Sequence, residues 1–187
     1  FPSTRSVAPS GIEVNNLRIF AKGSNWVHPD VFIGQITPER YREQLELAKN
    51  AHFNILRVWG GGIVNKEDFF NICDELGILV WQEFPLSCNL YTDKPEYVKV
   101  LEQEATSIVK RVKKHACLAL WSGGNELFNY WSGMTDQSMA LRMLNSVCYH
   151  LDPQTPFIYT SPFYGVGHGH YLFYDKEIDK EVFQWMT

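Results

Sequence analysis

The chain lacks the features of a membrane protein and of a nucleic-acid-binding protein. No apolar run approaches about 18 residues, the length that a membrane-spanning helix requires. The formal net charge of the 187 residues is −4 and no stretch is strongly basic, which argues against a nucleic-acid or anionic-membrane partner. The first residues, Phe1–Arg5, do not resemble a signal peptide, and we expect them to lie in the middle of a longer polypeptide.

Cysteine is scarce and has no spacing typical of a metal site or a disulfide framework. The four cysteines are Cys73, Cys88, Cys117 and Cys148, with no CxxC pair among them. Two lie on apolar helix faces and one opens a strand, so we expect buried free thiols, which leave secreted, periplasmic and lysosomal locations open. His168 and His170 form an HxH pair without a third ligand, so we expect neither a metal site nor a cofactor.

The residues that are present alternate between strand and helix patterns. Apolar segments predict six strands at 17–22, 54–59, 78–84, 117–121, 157–160 and 171–174. Between them, Thr37, Asn65 and Asp136 are predicted to begin helices, and Gly77 is predicted to end one. The strands are apolar almost throughout, which is typical of a parallel sheet covered by helices.

Two parallel architectures fit this alternation, and the glycine pattern favours one of them. A doubly wound nucleotide-binding fold requires a glycine-rich turn directly after its first strand. Here the first strand runs into residues 22–26, and the triplet Gly60–Gly62 has neither the GxGxxG spacing nor a phosphate-binding lysine. The sequence therefore predicts the α/β class and a (β/α)8 barrel, incomplete at about six of its eight strand–helix units.

In a barrel, polar residues just beyond the carboxyl ends of the strands meet at one face. The residues in these positions are Asn25, Trp26, Asp30, Arg57, Trp59, Gln82, Glu83, Asn125, Glu126, Ser161, His168 and His170. Carboxylates carry out acid–base chemistry, amides bind hydroxyl groups, and indole rings stack on pyranose rings. This combination predicts a sugar-binding site at the carboxyl rim.

The sharpest motif is the segment Trp121–Glu126, in which a buried strand ends in two glycines and an Asn-Glu pair. One interpretation makes Glu126 the carboxylic acid that protonates a departing glycosidic oxygen, with Asn125 holding the sugar 2-hydroxyl. The other makes Asn125 and Glu126 the N-cap and first-turn acid of a helix. Spacing alone leaves both open.

Four segments in order resemble the catalytic barrel of glycoside hydrolase family 2, and within it the β-mannosidase branch. They are residues 15–26, 54–62, 74–84 and the strand that ends at Glu126, and the resemblance extends from Thr4 to Tyr174. It implies a retaining β-glycosidase with Glu126 as acid/base and with substrate-binding residues Asn125, Trp59, Asp30, Glu83, Trp131, Arg57 and His170.

Several of these residues also have a structural interpretation. Trp59 could be a core ring under the glycine turn, Trp131 a loop anchor and Asp30 a turn cap. For Arg57, we favour an ion pair that orients a carboxylate over direct contact with sugar.

The resemblance also implies a second carboxylate, because retaining enzymes need a nucleophile about 5–5.5 Å from the acid. The family carries it on the seventh strand, and no segment here matches that strand, so we expect the chain to be a piece of a larger enzyme. Residues 1–10 would then end a preceding β-sandwich, and residues 11–187 would form the truncated barrel.

The expected partner is a β-linked oligosaccharide or glycoside, and the open barrel edges predict a homodimer of the chain. Other activities of the family are the alternatives, namely β-galactosidase, β-glucuronidase and exo-glucosaminidase. A non-catalytic carbohydrate-binding barrel is the alternative from another functional class.

Overall fold

The structure is a computed structural model that describes residues 12–14, 16–163, 174–175 and 180–181. Strands and α-helices alternate from residue 23 to residue 158. The strands are β1 (Ile12–Val14), β2 (Leu17–Ile19), β3 (Gly23–Trp26), β4 (Ile55–Val58), β5 (Leu79–Glu83), β6 (Leu118–Ser122), β7 (Phe157–Ile158), β8 (Tyr174–Asp175) and β9 (Lys180–Glu181). The helices are α1 (Pro38–Asn50), α2 (Glu67–Leu76), α3 (Pro95–Val112) and α4 (Met139–Leu151), and a 3-10 helix covers Ile33–Gln35.

Strands β3 to β7 form one parallel sheet in which every strand neighbours the next strand of the sequence. The four α-helices connect them in turn. A doubly wound sheet would reverse its strand order near the middle, whereas a (β/α)8 barrel keeps the sequential order. The barrel prediction is confirmed, and within the described residues the sheet stays open, with β3 and β7 at its edges.

The predicted first strand, residues 17–22, is confirmed as a strand only at Leu17–Ile19, which is β2. Its predicted place in the parallel sheet is wrong, because β2 pairs antiparallel with β1 outside that sheet. The first barrel strand is Gly23–Trp26, and Gly23 is needed there because a Cβ atom at this position would lie 1.8 Å from the carbonyl oxygen of Ile55. The pattern missed this strand because close backbone contact, rather than apolar side chains, sets its pairing with β4.

The predicted sixth strand, 171–174, overlaps the described residues only at Tyr174. That residue belongs to β8, which pairs antiparallel with β9 in a separate two-stranded sheet. The described residues therefore contribute five strands to the parallel sheet, where the sequence predicts six. The predicted domain boundary at residue 10 lies outside the described residues.

Two of the four predicted helix ends are confirmed and two are wrong. The Thr37 hydroxyl accepts a hydrogen bond from the Arg40 backbone N–H and caps α1, and Gly77 ends α2 with a φ of 67°. Asn65 does not cap α2, because its side-chain oxygen accepts from Trp26 Nε1 at 3.3 Å. Helix α4 begins after Ser138 rather than at Asp136, because residues 135–138 form a hydrogen-bonded turn.

The core lies between the helices and the outer face of the sheet. Its largest side chains, Tyr41, Phe69, Phe70 and Trp121, are fully buried. Burying an apolar side chain of this size stabilises the fold by about 1.5–3 kcal/mol. The rings contact one another, as in the pair Trp26 and Phe69, whose centroids lie 4.9 Å apart. This layer of aromatic side chains holds the strands together. It therefore fixes the positions of the polar residues at the carboxyl ends of the strands.

The inner face of the sheet carries a row of residues that pair across three strands. Asn25 on β3 is the register partner of Arg57 on β4, and Arg57 is the partner of Trp81 on β5. The guanidinium carbon of Arg57 lies 5.8 Å from the centroid of the Trp81 ring. This row leads up to the carboxyl rim.

Candidate active site

The backbone keeps its strand-like pairing beyond the ends of β5, β6 and β7. Asn125 forms parallel bridges with Ser87 on one side and Ser161 on the other. The Asn125 N–H donates to Leu86 O at 2.9 Å, and the Glu126 N–H donates to Ser161 O at 2.6 Å. The Asn-Glu pair is therefore fixed by both neighbouring chain segments, although it follows the strand.

The two glycines before this pair allow the neighbouring segments to approach. A Cβ atom at Gly123 would lie 2.3 Å from Tyr159 O, and one at Gly124 would lie 2.4 Å from Leu86 O. Gly124 also has a φ of 153°, which residues other than glycine rarely adopt. Either substitution would therefore push apart the segments that hold Asn125 and Glu126.

Asn125 and Glu126 do not begin a helix, since turns follow them and α4 starts only at Met139. The helix-cap interpretation is wrong. Glu126 instead has a left-handed backbone, with a φ of 53°. Non-glycine residues with this conformation cost about 1–3 kcal/mol and cluster at functional sites.

The Glu126 carboxylate is partly exposed at the rim and accepts hydrogen bonds from nearby side chains. Asn129 Nδ2 donates to Oε2 at 2.9 Å, and the Cys88 thiol lies 3.5 Å from the same oxygen. The Ser132 hydroxyl donates to the Glu126 backbone oxygen at 2.8 Å and closes the turn beneath it. A carboxyl group that is held in place and still reaches solvent can exchange a proton with a bound molecule.

The Asn125 side chain is buried and held at both ends. Its oxygen accepts from Arg57 Nη2 at 2.6 Å, and its nitrogen donates to Cys88 Sγ at 3.1 Å. The amide orientation is therefore set by its partners: a guanidinium can only donate, so Oδ1 must face Arg57. Asn125 retains one amide hydrogen and one lone pair for a further partner.

Arg57 and Glu83 form a buried ion pair under Asn125. Arg57 Nε and Nη2 donate to the two carboxylate oxygens at 3.0 Å each, and the Gly60 N–H donates to Oε2 at 2.9 Å. The third guanidinium nitrogen, Nη1, donates to Asn25 Oδ1 at 2.8 Å. Burial raises the pKa of the Glu83 carboxyl above its ordinary value. The positive charge of Arg57 and the hydrogen bond from the Gly60 N–H offset part of this increase.

Arg57 forms an ion pair with Glu83, as its structural interpretation describes. The Glu83 side chain is 0% exposed and its oxygens accept from protein donors. The predicted contact of Glu83 with a sugar stays a prediction. Glu83 lies beneath the rim and orients Arg57, which in turn orients Asn125. Sequence position alone suggested a rim residue because Glu83 ends its strand.

Of the remaining predicted site residues, the structure describes Trp59, Asp30 and Trp131. The Trp59 ring packs directly against Gly61 of the glycine turn. A Cβ atom at Gly61 would lie 2.0 Å from the ring, so a larger residue would collide with it. Asp30 is exposed and accepts from the Phe32 N–H at 2.7 Å, as a turn cap does. Trp131 is 63% exposed in the turn after Glu126. His170 and His168 lie outside the described residues.

Sequence reasoning missed Cys88 and Asn129, whose side chains contact Glu126 Oε2. Cys88 was expected to be buried with the other three thiols, but it is exposed, whereas Cys73, Cys117 and Cys148 are buried. Its position in the loop after β5 was the available signal, because the loops after barrel strands carry functional residues. Asn129 had a comparable signal, three residues beyond Glu126.

Residues 6–181 of the chain match the sequence model described as "Glycosyl hydrolases family 2, TIM barrel domain". The chain belongs to this family. The match covers more than nine-tenths of the sequence and agrees with the sequential parallel sheet. The family assignment made from the four sequence segments is confirmed.

The relatives that this chain resembles in sequence include β-mannosidases. "Beta-mannosidase B" of Thermothelomyces thermophilus is 37% identical over an alignment of 174 residues, and the match covers 83% of this chain and 20% of that protein. "Beta-mannosidase" of Rattus norvegicus is 36% identical over an alignment of 168 residues, and the match covers 82% of this chain and 19% of that protein. This chain therefore spans about a fifth of the length of these relatives.

Solved structures of the family share the fold. The beta-D-mannosidase of Dictyoglomus thermophilum is 39% identical, with a TM-score of 0.74 over 80% of this chain and 19% of that one. A beta-glucuronidase of Parabacteroides merdae is 22% identical, with a TM-score of 0.63 over 76% of this chain and 18% of that one. At that identity the second likeness concerns the fold alone.

The described residues contain no cluster of three or more His, Cys, Asp or Glu side chains placed to hold a metal ion. No helix within them is long and apolar enough to cross a membrane.

Proposed function

We propose that this chain supplies the acid/base half of the active site of a retaining β-glycosidase that acts on terminal β-mannosides. The observation that carries the proposal is the placement of Glu126 at the carboxyl rim beside Asn125, with Asn129 donating to its carboxylate at 2.9 Å. Relatives named as β-mannosidases, 36–37% identical over most of this chain, support the reaction class and the sugar.

In this proposal Glu126 gives its proton to the departing glycosidic oxygen and later takes one from the attacking water. Asn125 holds the sugar 2-hydroxyl with its remaining amide hydrogen or lone pair. Trp59, Trp131, Asp30 and His170 are proposed to lie around the sugar, and Arg57 acts indirectly by fixing Asn125. Among these residues, Asp30 and Trp131 are exposed, whereas the Arg57–Glu83 pair is largely buried.

The nucleophile is proposed to come from the family's seventh strand, in a polypeptide longer than this chain. Glu83 is a poor candidate for that role, because a nucleophile must approach the anomeric carbon and Glu83 is enclosed by its donors. The fraction of the relatives' length that this chain spans supports a site completed by a further segment.

The test is Glu126→Gln in the full-length enzyme that carries this chain. Glutamine preserves the shape but cannot donate the proton, so cleavage of an unactivated β-mannobioside should fall about 100- to 10,000-fold. The rate at which a dinitrophenyl β-mannoside transfers its sugar to the enzyme should fall far less, because the dinitrophenolate leaving group needs no protonation. Glu102→Gln, on the exposed face of α3, is the matched control and should keep the parent rates.

Equal hydrolysis of the mannobioside by the parent and by Glu126→Gln would show that Glu126 is not the acid/base. Retention of sugar binding without any hydrolysis in the unaltered full-length protein would instead favour the non-catalytic carbohydrate-binding alternative.

We also propose that the isolated chain forms a homodimer through the open edges of its sheet. Strand β3 carries exposed Gly23, Ser24 and Asn25, and its outer backbone edge has no neighbouring strand among the described residues. Unpaired strand edges tend to pair with another chain, and a symmetric dimer is the simplest closed assembly.

A further inference from the structure

Cys88 stands between the two residues of the Asn-Glu pair. Its sulfur accepts a hydrogen bond from Asn125 Nδ2 at 3.1 Å and lies 3.5 Å from Glu126 Oε2, to which the thiol can donate. Both distances fall within the range for sulfur hydrogen bonds. One thiol thus links the amide and the carboxylate in a short chain of hydrogen bonds.

The backbone of Cys88 is as unusual as that of Glu126. Cys88 has a φ of 48° and Glu126 a φ of 53°, both in the left-handed region that side-chain-bearing residues seldom occupy. The Cys88 N–H donates to Asn125 O at 2.9 Å, which ties this conformation to the neighbouring segment. The loop after β5 and the turn after β6 therefore hold each other in place.

Cys88 is also the exposed member of the four cysteines, so its side chain lies at the surface where a ligand would approach. A buried packing role, which applies to Cys73, Cys117 and Cys148, does not account for it. Its side chain contacts Asn125 and Glu126, which the proposed reaction uses, and its sulfur also accepts from the hydroxyl of the neighbouring Ser87 at 3.5 Å.

We infer that Cys88 is a positioning residue, whose thiol holds the Glu126 carboxyl in the orientation needed to protonate the departing oxygen and holds Asn125 beside it. The inference rests on the proposed function of Glu126 and adds a residue to it. Cys88 exchanges no proton with the substrate and forms no bond to it. Its effect is geometric, since a misplaced catalytic group loses most of its efficiency.

The experiment compares Cys88→Ala and Cys88→Ser in the full-length enzyme, with Glu126→Gln alongside. Alanine removes the hydrogen bonds to Asn125 and Glu126. Like cysteine, it carries a Cβ atom, so the positive φ at residue 88 is equally unfavourable for both residues. Serine keeps a hydroxyl that can accept from Asn125 and donate to Glu126. The substrates are a β-mannobioside, which needs protonation, and a dinitrophenyl β-mannoside, which does not.

Cys88→Ala should lower kcat/KM for the mannobioside about 10- to 100-fold, mainly through kcat. It should change kcat/KM for the dinitrophenyl glycoside by less than about threefold. Cys88→Ser should recover most of the mannobioside rate. Cys88→Gly, which adopts a positive φ without strain, is the second variant if alanine impairs folding, and it should show the same selective loss.

An equal loss on both substrates would overturn the inference in favour of a purely structural role, as would an alanine variant with unchanged rates on both. A serine variant as impaired as alanine would also overturn it, because the hydrogen bonds would then not be the cause. Failure of Glu126→Gln to discriminate between the substrates would refute the proposed function itself, which keeps the two failures distinct.

Discussion

Glu83→Gln replaces one oxygen of a buried carboxylate by a donor group and tests how the site is supported. The carboxylate accepts from Arg57 Nε at one oxygen and from Arg57 Nη2 and Gly60 N–H at the other. Whichever way the amide turns, its nitrogen faces an Arg57 donor, so at least one hydrogen bond becomes a donor–donor contact. The guanidinium, whose side chain is 11% exposed, also loses its counter-charge.

Removing one partner of a buried ion pair destabilises a protein by about 3–5 kcal/mol, because the other charge stays buried without compensation. For a chain of this size that corresponds to a fall in Tm of roughly 6–20 °C. Unfolding in guanidinium, followed by tryptophan fluorescence at several protein concentrations, measures the free energy and reveals any contribution from association.

Glu75→Gln is the matched control, because Glu75 also accepts two hydrogen bonds from one arginine. Arg42 Nη1 and Nη2 donate to its two oxygens at 2.9 and 2.6 Å, but the pair lies at the surface. Water solvates both groups once the pair is broken, so the unfolding midpoint should stay within error of the parent value. Equal losses in the two variants would refute the reasoning, since burial is the property that separates them.

Three further outcomes are expected. The full-length enzyme should hydrolyse an aryl β-mannoside faster than the matching β-galactoside and β-glucuronide, and a clear preference for either of the others would refute the choice of sugar. In this chain, a thiol reagent at pH 8 should label Cys88 alone before unfolding and all four cysteines in denaturant, because the other three are buried and burial raises the pKa of Cys148 to about 12; rapid labelling of more than one would contradict this arrangement. The isolated chain should elute as a dimer in size-exclusion chromatography with light scattering and should not hydrolyse aryl β-mannosides, whereas an active monomer at tens of micromolar would contradict both parts of that prediction.

The sequence predicted the fold class because the determining signals are local. Apolar runs bounded by turn residues marked four of the five parallel strands, and Thr37 and Gly77 marked helix ends through backbone hydrogen bonding and a left-handed φ. Asn125 and Glu126 were predicted at the rim because they follow a buried strand and two glycines, whereas their roles were implied by the family resemblance and stay predictions. In each case the evidence lies within a few residues of the position it predicts.

The tertiary structure decided the features that depend on partners far apart in the chain. Glu83 ends its strand, yet it is enclosed because Arg57, Gly60 and Ser122 converge on it from neighbouring segments. Cys88 reaches Glu126 only because the loop after β5 continues in parallel with the segment after β6. Periodicity assigns a residue to an element and to one of its faces, but burial and hydrogen-bond partners depend on which other segments pack against that face, and only the folded chain brings those segments together.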